Sequence, residues 1–234
     1  MPYIDAANIA CGFHAGDPSI MLKTVQLAKA HGVRTGAHPG IDDKFGFGRR
    51  QMVIHPDDMY ASILYQVGAL KAMLDAEGLP LSHIKPHGEL YFYMQRDEGI
   101  MRAVLRACSK FEGVPVYACK NEMQARICEE MGIPFQEEVY VDIDYSPEGK
   151  LVPVAASKSA TVEDIRRRVK QATEDDSREH QGGGMLNLGF GERPCSICLH
   201  SDMPTALENA SVARKAVDEA NLKRNFKVRP TANS

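Results

Sequence analysis

The chain has 234 residues, 44% of them hydrophobic and 25% charged, and a formal net charge of −3 at pH 7. That length and apolar content suit one sizeable core, so a single domain over residues 1–222 with a frayed tail over 223–234 is expected. The acidic balance argues against nucleic acid as the main partner, and no apolar run approaches the ~20 residues of a membrane span.

The N-terminus, Met1-Pro2-Tyr3-Ile4-Asp5, has neither the basic nor the apolar region of a secretory signal. Six cysteines in a chain of this size do not make a dense disulfide framework, so a reducing, cytoplasmic compartment is expected. Cys195-x-x-Cys198 could be a redox or zinc pair, but it lies inside a predicted strand with no second pair to complete a site. Buried thiols are the expectation.

In chain order, Asn8 to Asp17 carries an apolar run into His14, and Asp17-Pro18 is suited to open the helix predicted over Ile20 to Ala30. A strand from Val33 ends at His38-Pro39. Gly40 to Gln51 is Gly-, Asp- and Arg-rich and too long for a simple turn. It is read as a substrate or lid loop in which Arg49 offers a fork for a carboxylate or phosphate, the plain alternative being a mobile surface loop. Pro56-Asp57 opens a long helix ending near Gly78, and Leu79 to Ile84 is a buried strand that runs into Lys85-Pro86-His87-Gly88.

Asp97 to Phe111 reads as a helix, Val114 to Ala118 as a strand and Asn121 to Glu130 as a helix. Phe135 to Val141 is a strand with Asp142, Asp144 and Tyr145 at its end. Leu151 to Val154 is a short extended segment that Pro153 keeps out of a central strand. Thr161 to Thr173 is helical, and Arg166-Arg167-Arg168 is read as its solvated face. Asp175 to Gly184 is expected to be looped or disordered, Cys195 to Leu199 is a strand leading to His200, and Pro204 opens a helix to about Leu222.

Strands alternating with helices imply βαβ units and a parallel sheet. Four histidines, His14, His38, His87 and His200, stand at predicted strand ends followed by turn residues. One alone would be an ordinary hydrogen-bonded turn histidine; four suggest a shared site on the C-terminal face of a barrel. No dinucleotide fingerprint or P-loop is present, and Gly182-Gly183-Gly184 lacks the Lys and Ser/Thr of a phosphate cradle, so any ATP is expected to be bound elsewhere or by a partner.

Several of these segments resemble the LamB/YcsF family of lactam-utilisation proteins. They are residues 7–17 (Ala-Asn-Ile-Ala-Cys-Gly-Phe-His-Ala-Gly-Asp), Gly36-Ala37-His38-Pro39, Tyr65 to Leu70, Lys85-Pro86-His87-Gly88 with Leu90-Tyr91, Glu137-Glu138-Val139, and Cys198-Leu199-His200-Ser201-Asp202. The resemblance runs from about Tyr3 to about Ala220, with Ser201 where the family usually has Gly. It implies an α/β fold, a seven-stranded (β/α) barrel like that of the glycoside hydrolase/deacetylase superfamily. It also implies a hydrolase acting on a cyclic amide: ATP-dependent opening of 5-oxo-L-proline to L-glutamate, as by the A component of 5-oxoprolinase with separate B and C components. The family carries an acidic strand ahead of the first of these segments, and this chain starts too late to contain it, so the first barrel strand is expected to be missing.

On that reading His14 or His87 is the general base or acid, because imidazole titrates near neutral pH. Lys85 pairs with the substrate carboxylate or stabilises developing negative charge, and Asp17 joins these catalytic candidates. Asn8, His38, Arg49, His200 and Asp202 are the substrate-binding candidates. A metal is not required by the reading. The alternatives are a metal-dependent hydrolase or deacetylase with His14, His38, His87 and Asp202 as ligands, and a catalytically incomplete interaction subunit.

Overall fold

The computed structural model describes residues 1–226, in which parallel strands alternate with helices; residues 227–234 of the predicted frayed tail lie outside the described residues. The chain gathers into two compact units, residues 5–136 with Met1, and residues 137 onward with residues 2–4.

The first unit holds strands β1 (Ala6–Ala10), β2 (Arg34–His38), β3 (His83–Ile84) and β4 (Val116–Ala118), all parallel and in that order. Asn8 lies opposite Gly36, Ala10 opposite His38, Ala37 opposite Ile84, and Ile84 opposite Val116. Ala37, Ile84 and Val116 are fully buried, as expected of a parallel sheet covered by its crossover helices. Because every strand runs the same way, the residues that close them emerge at one end of the sheet.

Helix α1 (Pro18–Ala30) begins where the extended Asp17 accepts the Ile20 N–H in its carboxylate, and it buries Met21, Val25 and Ala28 on one face. Helix α2 (Pro56–Ala76) buries Met59, Ile63, Val67, Leu70 and Leu74, a helical stripe facing the core. After β3 the chain makes two helices, α3 (Gly88–Arg96) and α4 (Glu98–Cys108). The extended Asp97 breaks one from the other and caps the second through the Ile100 N–H. Helix α5 (Glu122–Glu130) starts under the Asn121 cap, as its sequence predicts.

The boundary between the units falls within β5 (Phe135–Tyr140). In the second unit β5 pairs in parallel with β8 (Ser196–Cys198), Tyr140 opposite Cys198. Helices α6 (Val162–Glu174) and α7 (Ala206–Lys223) bury Ile165, Val169, Ala213 and Ala216 against Val141. A Thr161/Asp164 capping box fixes the start of α6.

Three expectations are corrected here. Part of the 175–184 segment is ordered: β6 (Ser177–Glu179) pairs antiparallel with β7 (Met185–Asn187), and Gly182–Gly184 form the hairpin turn through His180. Of 151–154, only Leu151 makes a bridge, to Tyr145, and Val154 begins a short 3-10 turn. The triple arginine is not one solvated face. Successive helical residues turn by about 100°, so Arg166 and Arg167 face outward while Arg168 is buried.

Arg168 donates to Asp144 (2.8 Å), Glu179 (3.1 Å) and the Val141 carbonyl (3.1 Å). Removing one partner of a buried pair strands the other's charge. Arg168→Met is therefore expected to cost about 3–5 kcal/mol of stability, read from urea unfolding midpoints.

Candidate functional site

Within the first unit, strand ends bring three of the predicted histidines together. His38 closes β2, His87 stands at the N-terminus of α3 just beyond β3, and His14 lies in the turn between β1 and α1. Gly12 and Gly16, both at positive φ, fold that turn back so that His14 is buried. The His14 and His87 rings stack with centroids 3.8 Å apart and planes 9° from parallel, and His38 meets His87 edge-on at 4.8 Å.

The 40–50 loop covers this cluster. Phe47 sets its ring edge-on to His14 and His87. A Cβ on Gly40 would lie 2.5 Å from His14 Nδ1, and one on Gly48 would lie 2.7 Å from His14 Cβ, so only glycine lets the loop approach so closely. The loop is tied down at several points. Gln66, fully buried on α2, both donates to and accepts from the Gly40 backbone at 2.9 Å. Asp43 is buried and accepts from the Gly46 N–H and the Arg50 side chain, an ion pair that holds its carboxyl down to about 2. Gly48 donates to the Asp43 carbonyl and accepts from the Glu89 N–H, and Phe47 is held at φ 55°, a strained value for a bulky residue.

The loop aims the Phe47 carbonyl at one imidazole, and the segment after β3 aims the Lys85 carbonyl at another. His38 Nδ1 is 2.5 Å from the Lys85 carbonyl oxygen, and His87 Nε2 is 2.7 Å from that of Phe47. A carbonyl only accepts, so each of these nitrogens carries the proton. In the neutral rings the remaining nitrogens, His38 Nε2 and His87 Nδ1, therefore carry lone pairs, and they face each other at 3.0 Å. His14 Nδ1 is buried and has no hydrogen-bond partner.

The surroundings favour neutral rings. Burial, then the neighbouring His87 and Arg49, push His14 down to about 3. His38 is held well below the usual histidine range by burial, then by His87, His14 and Lys85, and its bond to the Lys85 carbonyl offsets only part of this. Lys85 itself is 3% exposed. Arg49 lies 5.1 Å from the Phe47 ring centroid, a cation–π contact at the loop. Cys11 is an inert thiol, pushed up to about 12 by burial.

Two predicted residues have structural work nearby. The Asp17 carboxylate is the exposed cap of α1. Asn8 Oδ1 accepts from His83 Nε2 at 2.7 Å, while Ser82 bonds His83 Nδ1 and Tyr117 stacks on the ring. Sequence reasoning passed over His83. Burial, then Lys85 and Arg34, push it down to about 3, so the folded state binds this proton less readily than the unfolded chain. The stability it supplies is complete above about pH 6.5 and is lost as pH falls toward 3, at about 1.4 kcal/mol per pH unit. Urea melts between pH 7 and 4.5 should show His83→Gln with a flatter decline than the native chain.

In the second unit His200 follows β8 and Asp142 follows β5. His200 Nδ1 lies 3.0 Å from Asp142 Oδ1, and the His200 backbone N–H donates to the other carboxylate oxygen. Asp142 is buried and accepts, so His200 donates from Nδ1 and turns Nε2 away from the acid. Asp202 lies two residues beyond, in the turn before α7.

Two buried arginines hold the Asp142 segment. Arg178, with no exposure, donates to the carbonyls of Tyr140 (3.2 Å) and Ile143 (2.9 Å), and Arg168 donates to that of Val141. The sequence signal for Asp142 was an acid directly after a predicted strand. Nothing local marked Arg178, which lies in a stretch expected to be a loop.

Known proteins resemble this chain in sequence, and one solved structure resembles it in fold. A lactam utilization protein from Emericella nidulans is 43% identical over 97% of this chain and 88% of its own length. The A component of a 5-oxoprolinase from Pyrococcus horikoshii is 43% identical over 95% of this chain and 87% of its own. The crystal structure of a lactam utilization protein from Thermus thermophilus superposes with a TM-score of 0.84 at 38% identity, covering 97% of this chain and 89% of that one. With residues 1–232 matching the family as a whole, the chain belongs to the LamB/YcsF family.

Proposed function

We propose that this chain acts as a hydrolase like the A component of 5-oxoprolinase, on 5-oxo-L-proline or a related lactam, in a (β/α)-barrel setting and together with B- and C-type partner subunits. The relatives' names support the substrate class. The observation that carries the reading is the imidazole cluster of His14, His38 and His87 beside the buried Lys85, at the carboxyl ends of parallel strands, with His14 and His38 both held below the usual histidine range.

A lactam carbonyl is a poor electrophile and its nitrogen a poor leaving group. ATP, bound by or shared with a partner, answers both: its terminal phosphoryl passes to the lactam oxygen, and water then attacks the ring carbon. The ring C–N bond breaks as the nitrogen takes a proton, and a second water releases phosphate from the resulting acyl phosphate to leave glutamate. The facing nitrogens of His38 and His87 provide a seat for one positive charge, and His87 gives or takes a proton through it. Lys85 pairs with the substrate carboxylate, and an arriving carboxylate raises the proton affinity of the imidazoles around it. Asn8, Arg49, His200 and Asp202 bind substrate on this reading.

The test is ATP-dependent glutamate release from 5-oxo-L-proline by this chain with B- and C-type partners, beside each component alone. Release only from the mixture is expected. No release from a cooperatively melting chain, with partners that are active alongside a related A-type chain, would exclude the reading.

A further inference from the structure

Two lone pairs 3.0 Å apart repel unless something positive lies between them, and the Lys85 and Phe47 carbonyls prevent either ring from moving its proton into the gap at no cost. A proton can bridge the nitrogens, but it must survive in a buried cluster beside Lys85 and Arg49. A metal ion meets the same pair without an imidazolium being formed.

We propose that the first unit carries a divalent-metal site of nitrogen ligands, with His38 Nε2 and His87 Nδ1 as its principal ligands and His14 as a third. Nitrogens held about 2.0–2.1 Å from one ion at right angles to each other stand roughly 3 Å apart, which is the separation found. The three histidines can each offer a nitrogen such that all lie within 4.8 Å of one another. His14 also has a buried nitrogen with no partner, a cost that a cation would remove.

The outer contacts match a metal site as well. Ligand histidines donate their other N–H to a carbonyl or carboxylate, and the Lys85 and Phe47 carbonyls accept such a bond here. The 9° stack prevents one ion from lying in the planes of both His14 and His87, so His14 must turn to bind and contributes less. The cluster offers imidazoles without a carboxylate or thiolate, a donor set for zinc, cobalt or nickel rather than magnesium or calcium. Three neutral ligands leave the ion its full charge near Lys85 and Arg49, so an anionic ligand should tighten binding.

The proposal stands on the cluster and not on the lactam reading. Chelator-treated full-length protein is titrated with Co²⁺, followed by visible absorption and calorimetry. One equivalent per chain is expected, weakened at least ~10-fold in His38→Ala and in His87→Ala and less in His14→Ala. Binding that the two variants leave unchanged overturns the site. Because the variants can unfold, the native chain's imidazole ¹⁵N resonances are read in parallel. Paramagnetic displacement of His38 and His87 supports the site, whereas a proton shared between their facing nitrogens and undisturbed by cobalt refutes it. Turnover enters neither measurement, so failure here leaves the lactam reading standing.

Discussion

His87→Gln is expected to lower ATP-dependent turnover of 5-oxoproline by about 10²–10⁴-fold with little change in the melt. Glutamine keeps a donor for the Phe47 carbonyl, and so keeps the 40–50 loop in place, but it puts no imidazole lone pair opposite His38 Nε2. The seat for positive charge is lost while its roof remains. The effect should fall on kcat more than on KM, because the proton that His87 gives or takes is needed as water attacks the ring carbon and the C–N bond breaks. Near-native kcat from a folded His87→Gln chain would move the chemistry away from this cluster.

Asp142→Asn is expected to act on binding instead, raising KM for 5-oxoproline about 10-fold through the loss of one hydrogen bond to substrate. The carboxylate can only accept, which keeps a proton on His200 Nδ1, so that in the neutral ring Nε2 is the acceptor. An asparagine amide in the same place can donate to Nδ1, moving the ring proton to Nε2 and removing the acceptor. Size and burial barely change, so stability should hold through the buried Arg168 and Arg178 bonds to neighbouring carbonyls. KM and the His200 ¹⁵N tautomer signature are measured together. A switched tautomer with a native KM would show that His200 takes no part in binding substrate.

The secondary structure was largely legible because its signals are local. Asp17-Pro18 and Asn121 cap helices, the α2 stripe from Met59 to Leu74 repeats at helical spacing, the run into His38 is a strand, and the run from Leu79 toward Lys85 narrows to the two strand residues His83–Ile84. The errors arose where a long-range partner decided the outcome. The β6–β7 hairpin is too polar to announce itself, and Arg168 turned inward because Asp144 and Val141 were waiting for it.

The sequence by itself determined which chemical groups close the strands, since parallel βα units carry the residue after each strand to the same end of the sheet. It therefore named His14, His38 and His87. Only the tertiary structure decided what those groups are. Burial holds His14 and His38 below the usual histidine range, and the His38 and His87 ring protons are placed by the carbonyls of Lys85 and Phe47, residues 47 and 40 positions distant from the rings they fix. Proton position depends on the partner across a hydrogen bond and on the surrounding dielectric, and neither is a property of neighbours along the chain.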